Sequence, residues 1–133
     1  MPVTALYAGL LALLFVVLSF RVSGVRRSQK ISVGDGGNSD LLRRMRVHGN
    51  FAEYVPLVLV LMGLAESLKT QPRLLHAIGA ALLVGRILHV IGLSPATSVL
   101  PLRAGGMILT FLAMISAAGL CLMASVASVS FGP

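Results

Sequence analysis

Polar and apolar positions along this chain fall into blocks: no Asp, Glu, Lys or Arg occurs at residues 2–20, 54–65, 87–102 or 104–133. A hydrocarbon core about 30 Å thick takes roughly 20 apolar residues to cross as a helix. The blocks therefore predict four transmembrane helices, over about residues 2–22, 41–68, 72–93 and 101–129. The breaks between them carry turn chemistry. Gly34-Asp35-Gly36-Gly37 is followed by Asn38, Ser39 and Asp40, side chains suited to capping the second helix. Thr70-Gln71-Pro72 places a proline in the first turn of the third helix, Ser94-Pro95 ends that helix, and Pro101 opens the fourth. The chain stops soon after that span, with Phe131-Gly132-Pro133. At about 1.5 Å per residue the second helix spans roughly 42 Å. That exceeds the hydrocarbon core, so its first turns project beyond it.

Composition supports this reading. The 133 residues are 56% hydrophobic and 11% charged, with a mean hydropathy of +0.93, and no soluble domain could bury so much apolar surface. The fold class expected is all-α, an integral membrane four-helix bundle forming one domain over residues 1–133. Ala5 to Phe20 would suit the apolar part of a signal peptide, but no basic segment precedes it and no small-residue cleavage site follows. It is read as a retained first helix.

A net charge of +7 raises nucleic acid as a partner. The cations, however, sit beside apolar spans, and few aromatic residues are present to stack on bases, so no nucleic-acid binding is expected. Topology explains them better. Arg21, Arg26, Arg27, Lys30, Arg43, Arg44, Arg46, Arg86 and Arg103 belong to the first and third loops and their helix ends, against Lys69 and Arg73 at the second. The excess places the first and third loops in the cytoplasm and both termini on the other side.

Bilayer helices associate through small residues that let backbones approach. Ala77, Ala81 and Gly85 form such a stripe on the third helix, and Ala113, Ala117, Cys121 and Ser125 on the fourth. Cys121 is read as a packing residue. Four residues beyond Gly85, His89 should point into the protein.

The second helix carries the most informative chemistry. Arg46, Asn50 and Glu53 are spaced four and three apart and share one face, which Leu57 continues. A carboxylate this far into a span is costly in lipid and is expected to face a bundle interior or a wet cavity, with a partner. Arg86 is the candidate for a purely structural ion pair with Glu53. His48 lies on the opposite side of the helix and is read as interfacial. Glu66 lies at the far membrane end, near Lys69 and Arg73. Pro56 deprives the Ala52 carbonyl of its helical donor and predicts a kink. Arg26, Arg46, Asn50, Glu53, Arg86, His89 and Arg103 all fall near the cytoplasmic end. Arginines bind carboxylates in bidentate fashion and Glu53 could accept from an ammonium, so a small zwitterionic peptide fits. Anionic lipid headgroups fit the arginines almost as well.

The run Leu42-Arg43-Arg44-Met45-Arg46-Val47-His48-Gly49-Asn50-Phe51-Ala52-Glu53-Tyr54-Val55-Pro56, with Gly85-Arg86-Ile87-Leu88-His89 downstream, resembles the MAPEG superfamily, the membrane-associated proteins in eicosanoid and glutathione metabolism. The likeness covers essentially the whole chain, and the Gly-Asp-Gly-Gly loop is similar to that of the bacterial branch. It implies a homotrimer in a bacterial inner membrane, with glutathione bound between subunits as co-substrate and a lipophilic substrate or lipid entering from the bilayer. Arg26, Arg46, Asn50, Glu53, His89 and Arg103 match the glutathione shell, which Arg86 adjoins. Arg103 matches the arginine that stabilises the glutathione thiolate. A cation beside a thiol raises the population of its reactive form.

The chain also departs from the pattern. Gly49 stands where some members carry a further arginine, Ala104 and Met107 where a serine and a tyrosine can occur, and Leu93 in place of a tyrosine. Two readings stay open. One is a glutathione-dependent transferase or peroxidase acting on lipophilic electrophiles or lipid hydroperoxides. The other is a non-enzymatic lipid-binding or scaffold protein. A transporter would call for inverted repeats and discontinuous helices, which the chain does not show. His48, His76 and His89 share no face and no cysteine pair exists, so no metal site is expected.

Overall fold

The computed structural model describes residues 1–94 and 96–130, the side chain of Ser130 excepted. Four helices account for almost all of them: α1 (Pro2–Gln29), α2 (Ser39–Ser67), α3 (Pro72–Leu93) and α4 (Leu100–Ser130). Each is long and apolar enough to cross a membrane, and the architecture is an all-α membrane bundle. Pro95 and the terminal Phe131-Gly132-Pro133, assigned to a helix end and a chain end from sequence, lie outside the described residues.

The first helix continues to Gln29, well past the Val22 that hydropathy suggested. Hydropathy marks where the hydrocarbon ends, whereas backbone hydrogen bonding continues until something replaces it. Here Arg26 and Arg27 occupy the last turn, where cations favour the negative end of the helix dipole. Lys30 then takes a left-handed conformation with φ 55°. The N–H of Ile31 closes onto the Arg26 carbonyl at 3.0 Å, a Schellman-type ending. Lys69 (φ 61°) ends α2 the same way, with Thr70 N–H on the Ala65 carbonyl at 3.1 Å.

The glycine loop is a built turn. Asp35 Oδ1 accepts from the Gly37 N–H at 3.0 Å, and its carbonyl accepts from the Asn38 N–H at 2.9 Å. Gly34, Gly36 and Gly37 all have positive φ. Of the three capping candidates Asn38 does the work, its Oδ1 accepting from the Leu41 N–H at 3.0 Å.

α2 and α3 form the middle of the bundle. α1 packs on both, α4 packs on both, and α1 and α4 do not meet among the described residues. The α3–α4 seam is the most extensive and rests on glycine. A Cβ at Gly106 would lie 2.5 Å from the Gly85 carbonyl oxygen and 2.6 Å from the His89 nitrogen, and one at Gly92 would lie 2.5 Å from the Arg103 nitrogen. The expected alanine stripes hold only in part. Gly85, Ala113 and Ala117 are buried, Ala81 and Cys121 half-buried, and Ala77 and Ser125 exposed. Between α1 and α3 the same device recurs: Gly79 makes room for the Tyr7 ring. The outward-facing Leu13, Val17, Ile115, Leu122 and Val126 are exposed, as lipid-facing side chains must be.

Two polar residues are placed differently from expectation. Glu66 pairs with neither Lys69 nor Arg73. Its carboxylate accepts from the Val3 and Thr4 N–H groups at 3.0 and 2.8 Å and caps α1, since the free donors of a helix N-terminus attract an anion more specifically than a mobile surface cation does. His48 is held between helices, stacked on Phe15 with ring centroids 4.5 Å apart and with Nε2 3.1 Å from Ser19 Oγ. Ser19 donates its own proton to the Phe15 carbonyl, so its oxygen accepts from His48 Nε2–H. Pro56 sits within α2, which runs on through it.

Candidate functional site

At the end of the bundle formed by the first and third loops, α2, α3 and α4 line a half-open cavity of about 250 Å³. Leu42, Arg43, Arg46 and Asn50 line it from the first turns of α2, His89 and Leu93 from the last turns of α3, and Arg103 from the first turn of α4. The lining thus includes three guanidinium groups and no carboxylate. Such a surface suits an anion, and guanidinium forks select carboxylates or phosphates.

Arg86 lies beside this cavity, fully buried. Its Nη1 donates to Asn50 Oδ1 at 2.6 Å, its Nη2 approaches Met107 Sδ at 3.3 Å, and its Nε has no partner. A guanidinium can only donate, so Asn50 must turn its carbonyl toward Arg86 and its NH2 group away. Asn50 therefore meets a ligand as a donor, which again favours an acceptor such as a carboxylate.

The expected ion pair between Glu53 and Arg86 does not form. Salt bridges among the described residues are confined to Asp40, with Arg44 at 2.8 Å and Arg43 at 3.6 Å. Glu53 is exposed on the surface of the chain, as are Arg46 and Leu57 on the same face. The face expected to look inward looks largely outward, with only Arg46 and Asn50 at its loop end reaching the cavity. Arg26 is also elsewhere. It sits on the last turn of α1, where Nη1 donates to the Gly34 carbonyl at 2.9 Å and Nη2 approaches Met45 Sδ at 3.4 Å. Of the seven residues singled out, the structure thus gathers Arg46, Asn50, His89 and Arg103 around one cavity, sets Arg86 behind it, and leaves Arg26 and Glu53 outside it.

Some contributors were not singled out. Arg43 lines the cavity, steadied by Asp40 three residues earlier. Gly92 brings the first turn of α4, and with it Arg103, against α3, and Gly106 does the same beside His89. The spacing of Asp40 and Arg43 on one helix face was a usable signal for the first. The glycines carried no such signal, because only the crossing point of two helices tells a packing glycine from an idle one.

The MAPEG family model matches residues 4–123. The chain belongs to the MAPEG family. It is 42% identical over 90 residues to inner membrane protein YecN of Escherichia coli (strain K12), an alignment covering 68% of this chain and 69% of that protein. The same figures hold for inner membrane protein YecN of Escherichia coli O6:H1 (strain CFT073). With four spans and these relatives, this MAPEG protein is a multi-pass protein of a bacterial inner membrane. The matched region contains all seven residues considered above.

Proposed function

We propose that this MAPEG protein binds glutathione and uses it as a co-substrate, in a transferase or peroxidase reaction on lipophilic electrophiles or lipid hydroperoxides. The supporting observation is the carboxylate-free cavity in which Arg46, Asn50, His89 and Arg103 converge from three helices. Glutathione offers two carboxylates for the arginines and Asn50, an amine for Glu53, and a thiol for Arg103, whose positive charge favours the thiolate. Glu53 is exposed within its span, and a carboxylate facing lipid is costly. A homotrimer, with the site completed between neighbouring subunits, would cover that face and bring Glu53 to the ligand. The positive-inside asymmetry puts the cavity at the cytoplasmic side, where it would take glutathione from solution and the second substrate from the bilayer.

A second reading, binding of a lipid without turnover, draws on the residues near Arg103. Leu93 forms the cavity wall in place of a tyrosine, and Met107 turns its sulfur toward Arg86 in place of an aromatic hydroxyl. Calorimetric titration of glutathione into detergent-solubilised protein separates the readings. Saturable binding that weakens by about tenfold or more in Glu53→Gln, as loss of a charge-assisted hydrogen bond predicts, supports the first. Absence of binding in the wild type leaves the lipid-binding reading.

A further inference from the structure

We propose that the loop-side end of α1 carries a second binding site, separate from the cavity above, for the phosphate of an anionic glycerophospholipid. Val16, Phe20, Ser23 and Arg27 are spaced four, three and four residues apart, so they lie on one face of α1, and Lys30 follows as its C-cap residue. All five are exposed, Phe20 most prominently among the apolar pair. The stripe changes character along its length, from apolar at Val16 and Phe20 to hydroxyl and cationic at Ser23, Arg27 and Lys30.

That polar half opens onto a surface cavity of about 470 Å³, lined by Ser23, Arg26, Arg27, Lys30, Ile31 and Ser32. Every charged group in the lining is cationic. Arg26 is turned to the Gly34 carbonyl and forms a wall. The side chains of Arg27 and Lys30 make no hydrogen bond or ion pair among the described residues, which leaves two cations and two hydroxyls for a phosphate.

The depth of the change matches the bilayer. Measured from Pro2 at about 1.5 Å per residue, Ser23 lies roughly 31 Å along α1 and Gln29 roughly 40 Å. Headgroups occupy that interval outside a hydrocarbon core about 30 Å thick. The phosphate of a lipid would therefore sit among Ser23, Arg27 and Lys30 with its acyl chains along Phe20 and Val16. Free phosphate would have no use for the apolar half of the stripe.

Native mass spectrometry of the full chain tests this, after equilibration in detergent with equal amounts of phosphatidylglycerol and phosphatidylcholine of identical acyl chains. The wild type should retain phosphatidylglycerol at least about fivefold over phosphatidylcholine, given the attraction of interfacial cations to anionic lipid. The preference should vanish in the double variant R27Q/K30Q, persist in K69Q/R73Q at the opposite end of the bundle, and survive millimolar inorganic phosphate. Equal retention of the two lipids, a preference that survives R27Q/K30Q or is lost equally in K69Q/R73Q, or displacement by inorganic phosphate would each overturn the proposal.

Discussion

Arg86 Nη1 donates to Asn50 Oδ1 at 2.6 Å, and this contact joins α3 to α2 behind the polar cavity. It is a charged hydrogen bond inside a bundle whose salt bridges, among the described residues, all lie at Asp40. A double-mutant cycle with Arg86→Met and Asn50→Leu, read by thermal unfolding in detergent, should give a coupling of about 1.5–3 kcal/mol. Additive effects of the two substitutions would show that the contact contributes nothing to the fold.

The α3–α4 seam predicts opposite outcomes at adjacent glycines. Gly106→Ala places a Cβ 2.5 Å from the Gly85 carbonyl and 2.6 Å from the His89 nitrogen, both backbone atoms that cannot rotate away. A loss of about 3 kcal/mol is expected, at the upper end for overpacking. Gly105→Ala meets nothing within 4 Å and should be neutral or stabilising by about 0.5–1 kcal/mol, as alanine is in a helix. Thermal melts of the two variants side by side check this.

Glu66 caps α1 through two N–H groups. Glu66→Ala should cost about 1 kcal/mol and speed hydrogen exchange selectively in the first turn of α1, measured by mass spectrometry of the corresponding peptide. Exchange that stays at the wild-type rate there would mean that the first turn holds without its cap.

The outward face of Arg46, Glu53 and Leu57 predicts an assembly. Light scattering with the detergent contribution subtracted should give three times the 13.9 kDa mass of one chain. A single-chain mass would leave Glu53 facing lipid and remove the reason for a site between subunits.

The fold was legible in outline because charge-free blocks of membrane length admit few alternatives, and α3 begins and ends where its prolines and hydropathy place it. The extra turns of α1 were not, since Ser23 to Gln29 are helical for reasons of backbone capping and not of apolarity. For the site, heptad-like spacing put Arg46, Asn50 and Glu53 on one face correctly. A helical wheel ranks residues around an axis without saying which neighbour stands there, so it could not show that Arg86 would reach Asn50 and leave Glu53 outside. Likewise Gly92 acquires its significance only from the crossing of α3 and α4.

The most direct test of the account follows the glutathione thiolate by difference absorbance, on wild-type protein and on Arg103→Ala in the same detergent, with trimer mass checked for both. The wild type should give a saturable thiolate signal that disappears in the variant while the assembly stays intact. A wild-type protein that gives no thiolate signal, or a variant that keeps it in full, would contradict the role assigned to Arg103 and with it the proposed activity.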